Sequence, residues 1–223
     1  MVTNKTMVYA LVVISLVVLV SGLKVPKFTE LKRNYPGYKL YGGSKTDEQI
    51  NKLLTVERIE HHTSAIRLSY SLNHIDYQHA IYTNKHVLNN DSIICDEERR
   101  DECYIQNPVM FGPYLEKVYK TPEFYRATKR NRREIISELR GRRGIVRLAT
   151  FQYEKADARV ALWDCDQFYQ TRNWILKYRH LIAVEFWESP GTERNDPAGC
   201  NSRQQRPVRI RHHHKALRGV ERT

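Results

Sequence analysis

The chain reads as an α+β domain, with helices first and an antiparallel sheet after them. Three observations lead there. Residues 46–73 place apolar side chains at helical spacing. Three later segments, Gly144–Phe151 (GIVRLATF), Ala158–Trp163 (ARVALW) and Leu181–Trp187 (LIAVEFW), have the length, alternation and β-branched content of strands. The helices precede the strands instead of alternating with them, which favours segregated layers over a doubly wound sheet.

Lys5 leads into Met7–Val20, an apolar run without a charge, and Val20-Ser21-Gly22 offers small or slim residues after it. That order predicts a secretory signal peptide over residues 1–22. The run falls short of the roughly 20 apolar residues a spanning helix wants. An uncleaved N-terminal anchor is the alternative, with Lys24 and Lys27 close behind.

Residues 23–43 read as an extended lead-in with turn signals at Tyr35-Pro36-Gly37-Tyr38 and Gly42-Gly43. Thr46–Ile59 reads as a helix through Ile50, Leu53 and Leu54. A second helix starts at Thr63 or Ser64, both of N-cap type, and runs to Asn73 with Ala65, Ile66, Leu68, Ser69 and Leu72 as its buried stripe. Residues 74–108 read as a polar surface insertion. Phe111–Tyr119 is a short helix. Pro122–Arg140 is dominated by charge, becomes amphipathic at Ile135, Ile136 and Leu139, and stops at Gly141. The three strands follow. The domain therefore spans 23–188, and 189–223 reads as a disordered basic tail.

The composition, 41% apolar and 10% aromatic with 14 Tyr, is that of a folding chain and excludes a disordered one. The formal charge of +12 attracts polyanions, or serves solubility alone. An exported chain points away from nucleic acid and toward peptidoglycan or another anionic polymer, with a membrane reached only through an uncleaved anchor. Four cysteines in an exported chain read as disulfides. Three pairings exist; Cys95 with Cys103 and Cys165 with Cys200 is the favoured one, closing a charged loop and pinning the C-terminal segment. No Cys/His spacing suggests zinc, and His212-His213-His214 reads as part of a solvated tail. No cofactor or metal is implied.

One arrangement points to chemistry. Ser64 opens a helix ahead of an antiparallel sheet, where thiol hydrolases hold a cysteine. The unpaired N–H groups and positive partial charge there lower a thiol pKa and stabilise an oxyanion. The segment Thr63-Ser64-Ala65-Ile66-Arg67-Leu68-Ser69-Tyr70-Ser71-Leu72-Asn73 resembles the catalytic-helix motif of type VI secretion amidase effector family 4. Asn34-Tyr35-Pro36, Tyr41-Gly42-Gly43, Leu139–Val146, Ala158–Asp164 and Leu181–Trp187 extend the likeness over roughly residues 28–188. The resemblance implies a papain-like amidase fold and an ancestry in enzymes that cut peptide stems or cross-links of bacterial peptidoglycan.

The resemblance also implies a nucleophilic cysteine at position 64 and a histidine at position 159. This chain has Ser64 and Arg159. A serine needs a base to act, and an arginine stays protonated. Asp164, or Asp166, would fill the third, orienting position. His180 is the best spare base; His61 and His62 adjoin Ser64 in sequence, and His74, His79 and His86 read as surface residues. Three readings follow. The first is an inactive amidase-like protein that binds cell-wall peptide or another anionic partner, with Arg159, Ser64 and Trp163 lining the site and Arg159 facing the positive helix end. The second is a cationic surface binder or antimicrobial protein acting through its tail, where residues 201–223 carry Arg203, Arg206, Arg209, Arg211, Lys215, Arg218 and Arg222 against Glu221 alone. The third is an active amidase with a non-standard nucleophile. Against all three stands a plain structural role for Ser64 as a helix cap.

Overall fold

The computed structural model describes residues 22–52, 63–84, 86, 93–95, 102–152, 154–191 and 200. The expected signal peptide (1–21 of its span), the end of the helix foreseen to Ile59, His61, His62 and the basic tail apart from Cys200 lie outside the described residues.

The sheet is built on a long hairpin. β4 (Arg142–Gln152) and β5 (Lys155–Cys165) pair antiparallel from Arg142 opposite Cys165 to Gln152 opposite Lys155. The five strands run β3 (Glu123–Arg126), β7 (Leu181–Glu188), β4, β5 and β6 (Gln167–Phe168), so β4 is central and β3 is an edge. All strand pairs are antiparallel. Gly144 is required at the β4–β7 contact, where an added Cβ would stand 2.1 Å from the Trp187 carbonyl oxygen.

Both faces of the sheet are covered, so β5 is buried from Ala158 to Cys165. Side chains alternate across it. Val160 and Leu162 join the cluster containing Ala65, Leu68 and Leu72 of α3 (Ser64–Asn73) and Phe111 and Leu115 of α4 (Phe111–Tyr119). Ala161 and Trp163 join the opposite cluster, with Ile135 and Leu139 of α5 (Arg132–Leu139) and Trp174 of α6 (Trp174–Lys177). Two short helices, α1 (Phe28–Asn34) and α2 (Asp47–Asn51), precede α3. The result is the α+β architecture read from the sequence, with helices against an antiparallel sheet.

The differences have local causes. The lead-in is not all extended: α1 forms there, with Phe28 and Leu31 buried and Glu30 accepting the Lys27 backbone N–H. The charged run after Pro122 begins as strand β3 before it becomes α5. Gly141, at φ +80°, follows α5 and turns the chain into β4. The polar insertion holds a small ladder, β1 (Ile93–Cys95) with β2 (Cys103–Ile105). Both favoured disulfides form, Cys95–Cys103 and Cys165–Cys200. No helix among the described residues is long and apolar enough to cross a membrane.

Candidate functional site

Helix α3 is buried almost all round, from Ser64 to Ser71 with Tyr70 half-buried. A helix so placed must satisfy its polar side chains internally. Ser69 Oγ accepts the Ile105 N–H at 3.0 Å, and Ser71 Oγ donates to the Leu31 carbonyl at 2.9 Å. Ile66 turns away from the sheet toward Ile50 and Tyr104. Ser64 differs: it is fully buried, and its hydroxyl has no hydrogen-bond partner. It is the first helical residue, not the cap. The N-cap is Thr63, whose side chain does not cap the helix either and donates instead to the Asp47 carboxylate.

Arg67, one turn along α3, organises this end of the helix. Its guanidinium is completely buried. It donates to Thr63 Oγ1 at 3.1 Å, to the Lys45 carbonyl at 3.1 Å, to Asp47 Oδ1 at 2.9 Å and to the Gly37 carbonyl. The guanidinium carbon lies 4.1 Å from the centroid of the Tyr38 ring. Nothing in the sequence patterns marked Tyr38, Asp47 or Arg67 for the site. Arg67 stands outside the apolar stripe that helical periodicity defines, so its burial comes from the tertiary fold.

Arg159 lies on β5. It alternates with Val160 and Leu162, so it projects with Ala161 and Trp163 toward α6 and not onto α3. It is 7% exposed. Its Nε donates to the Tyr178 hydroxyl at 2.5 Å and its Nη1 to the Ala158 carbonyl at 3.4 Å. The Asp157 carboxylate stands 3.9 Å off and is itself 44% exposed. Burial pushes the Arg159 guanidinium below its ordinary pKa, against the pull of the Tyr178 and Tyr38 hydroxyls, and Arg172 adds to the lowering.

Tyr38 interacts with Thr63, the residue before Ser64, and with the Arg159 charge. Tyr38 shares a hydrogen bond with Thr63, carries Arg67 on its ring, feels the Arg159 charge and packs edge-on to Trp174 with centroids 6.0 Å apart. Burial pushes its phenol pKa up to about 12, although Arg67, Thr63 and Arg159 pull it down. No hydrogen bond joins Ser64 to Arg159, because the guanidinium is turned to Tyr178.

The remaining expected residues are placed as follows. Trp163 is fully buried and donates from Nε1 to the Leu139 carbonyl at 2.8 Å, so it holds α5 to β5 and presents no surface to a ligand. Asp164 lies on the α3 face of β5, opposite in parity to Arg159, and is engaged by Lys32 at 3.1 Å and Arg143 at 2.9 Å. Asp166 is exposed, as are His180 and His86. His74 is exposed and stacks on Tyr70. His79 corrects the surface reading: it is partly buried and within 3.0 Å of the Tyr119 hydroxyl, and burial lowers its pKa against the pull of Asp76 and Glu30. None of the described imidazoles bonds to Ser64. Among the described residues no His, Cys, Asp and Glu cluster is arranged to hold a metal.

The fold is one seen in solved structures of type VI effectors. Among solved structures the chain is similar to the type VI effector Tae4 from Enterobacter cloacae, with a TM-score of 0.55 and 17% identity over 76% of this chain and 99% of that one. It is also similar to a Tae4–Tai4 effector–immunity complex from Enterobacter cloacae, with a TM-score of 0.52 and 16% identity over 74% of this chain and 98% of that one. At such identities the likeness is one of fold. No protein-family model matches the chain. No curated protein matches it either.

Proposed function

We propose that this chain is a disulfide-stapled, extracytoplasmic amidase-fold protein that no longer cleaves its ligand and instead holds an anionic group beside Arg159. The observation that carries the reading is the state of Arg159. A buried cation costs free energy unless it is paired. Here its close partners are a neutral phenol and a backbone carbonyl, and its carboxylate neighbour is distant and solvated. An incoming carboxylate would supply the missing charge. The terminal or side-chain carboxylate of a peptidoglycan stem peptide has that chemistry, and the fold is one whose relatives by structure are amidase effectors.

Loss of cleavage follows from the side chains present. Ser64 has a hydroxyl with no base bonded to it, and Arg159 cannot accept a proton. Two disulfides agree with an oxidising compartment outside the cytoplasm. The second structural neighbour is an effector bound to its immunity protein. That supports a protein as another ligand class, an acidic side chain of the partner then meeting Arg159.

Retention on purified peptidoglycan tests the proposal. Arg159→Ala is expected to lower retention at least about tenfold, since removing one member of a desolvated charge pair costs a few kcal/mol. Arg159→Lys, which keeps the charge and loses the planar fork, falls between. Equal retention by all three proteins would remove Arg159 from the account.

A further inference from the structure

A second surface, remote in sequence from the residues around Ser64, has the features of a docking face. Residues 126–133 read RATKRNRR: five cations in eight positions without an acid. They join β3, the edge strand, to α5. Arg126, Lys129, Arg130 and Arg133 are exposed, and among the described residues their side chains have no hydrogen-bond or ion-pair partner. Arg132 is the exception; it is buried and donates to the Arg179 carbonyl at 3.1 Å.

The segment is a built turn. Asn131 accepts the Thr128 N–H at 2.8 Å and donates from Nδ2 to the Arg126 carbonyl at 2.9 Å, tying both ends together. Arg132 anchors it to the chain just before β7. The backbone that carries the cations is therefore held in place. The carboxylate on β3, Glu123, is taken up by Arg142 and does not offset them. Glu134, the first acid after the run, lies on the first turn of α5.

Two large apolar side chains flank these charges. Phe124, two residues before Arg126 and so on the same side of β3, is 63% exposed. Ile182 is 48% exposed and sits on the strand next to the turn, its carbonyl accepting the Ala127 N–H at 2.8 Å. Exposed aromatic and aliphatic side chains beside a cation cluster suit a bilayer interface, where the cations meet phosphate headgroups and the apolar groups enter the acyl boundary. A soluble polyanion would use the cations and leave Phe124 and Ile182 in water.

We infer that the turn between β3 and α5, with Phe124 and Ile182, docks this protein on a membrane rich in anionic phospholipid. The contact adds a peripheral attachment to the single one expected from an uncleaved N-terminal anchor.

The test uses the full chain with mixed phosphatidylcholine–phosphatidylglycerol vesicles, pure phosphatidylcholine vesicles and polyphosphate in solution. Binding to the mixed vesicles and not to pure phosphatidylcholine is expected. Combined R126S, K129S, R130S and R133S substitution should weaken it at least about tenfold, since each cation near an anionic bilayer adds to binding. All four side chains are exposed and unpartnered among the described residues, so folding, read by circular dichroism, is expected to hold. Phe124→Ser alone should lower vesicle binding and leave polyphosphate binding unchanged. A chain with the arginines at 203, 206, 209, 211, 218 and 222 changed to serine, the turn left intact, should still bind vesicles. The inference is overturned if the turn substitutions leave vesicle binding unchanged, if the tail substitutions alone abolish it, or if only polyphosphate is bound.

Discussion

Arg67 and Tyr38 show how one buried side chain can hold an unlikely neighbourhood together. Arg67 satisfies two loop carbonyls and Asp47 while its plane lies on the Tyr38 ring. Arg67→Met keeps volume but strands those acceptors, so a loss of about 2–4 kcal/mol in denaturant unfolding is expected. Tyr38 makes a second, separable prediction. Its phenol titrates near 10.0 when unfolded and near 12 when folded. Between those values the unfolded chain has lost the proton and the folded one keeps it, so stability present below pH 10 falls as pH rises toward 12. Alkaline unfolding followed by tyrosinate absorbance should start later in Tyr38→Phe than in the parent chain. Ser64 carries little of this: removing a buried hydroxyl without a partner should leave Ser64→Ala as stable as the parent or slightly more so.

At the scale of elements, the segments with a clear period were legible. α3, α4, β4, β5 and β7 lie where periodicity put them, because each buries a face or both faces against a cluster. The resemblance covered the same stretch and the structural neighbours share its fold. α1 and β3 were not legible. α1 is short and sits beside Pro26 and Pro36, whose turn signals dominate a window of that size; only Phe28 and Leu31 hint at its buried side. β3 is an edge strand with Phe124 facing solvent, so its pattern carries no buried face. The site was half legible: Ser64 and Arg159 stood out as substitutions within a motif, whereas Tyr38, Asp47 and Tyr178 meet them only through the tertiary fold. Trp163 is a buried tie between β5 and α5, and a Leu-Trp strand motif looks the same whether its indole lines a cleft or fills a core. The disulfides belong to this scale too. Opening Cys165–Cys200 releases a sequence separation of 35 and opening Cys95–Cys103 one of 8. Chain entropy then predicts a loss of about 4 kcal/mol for the first and about 2.5 kcal/mol for the second on Cys→Ser exchange, read by thermal unfolding of each variant.

The whole molecule shares the fold of the type VI effector structures and carries Ser64 and Arg159 where the sequence resemblance implies a cysteine and a histidine. Ser64, the first residue of α3, has a hydroxyl with no hydrogen-bond partner, and Arg159 projects from the other face of β5 and donates to the Tyr178 phenol. The most direct check is to incubate the purified chain with defined muropeptides and follow the products by mass spectrometry. The substrate should be recovered intact at every time point, with Ser64→Ala and the parent indistinguishable. Release of a stem peptide by the parent, abolished in Ser64→Ala, would contradict the account.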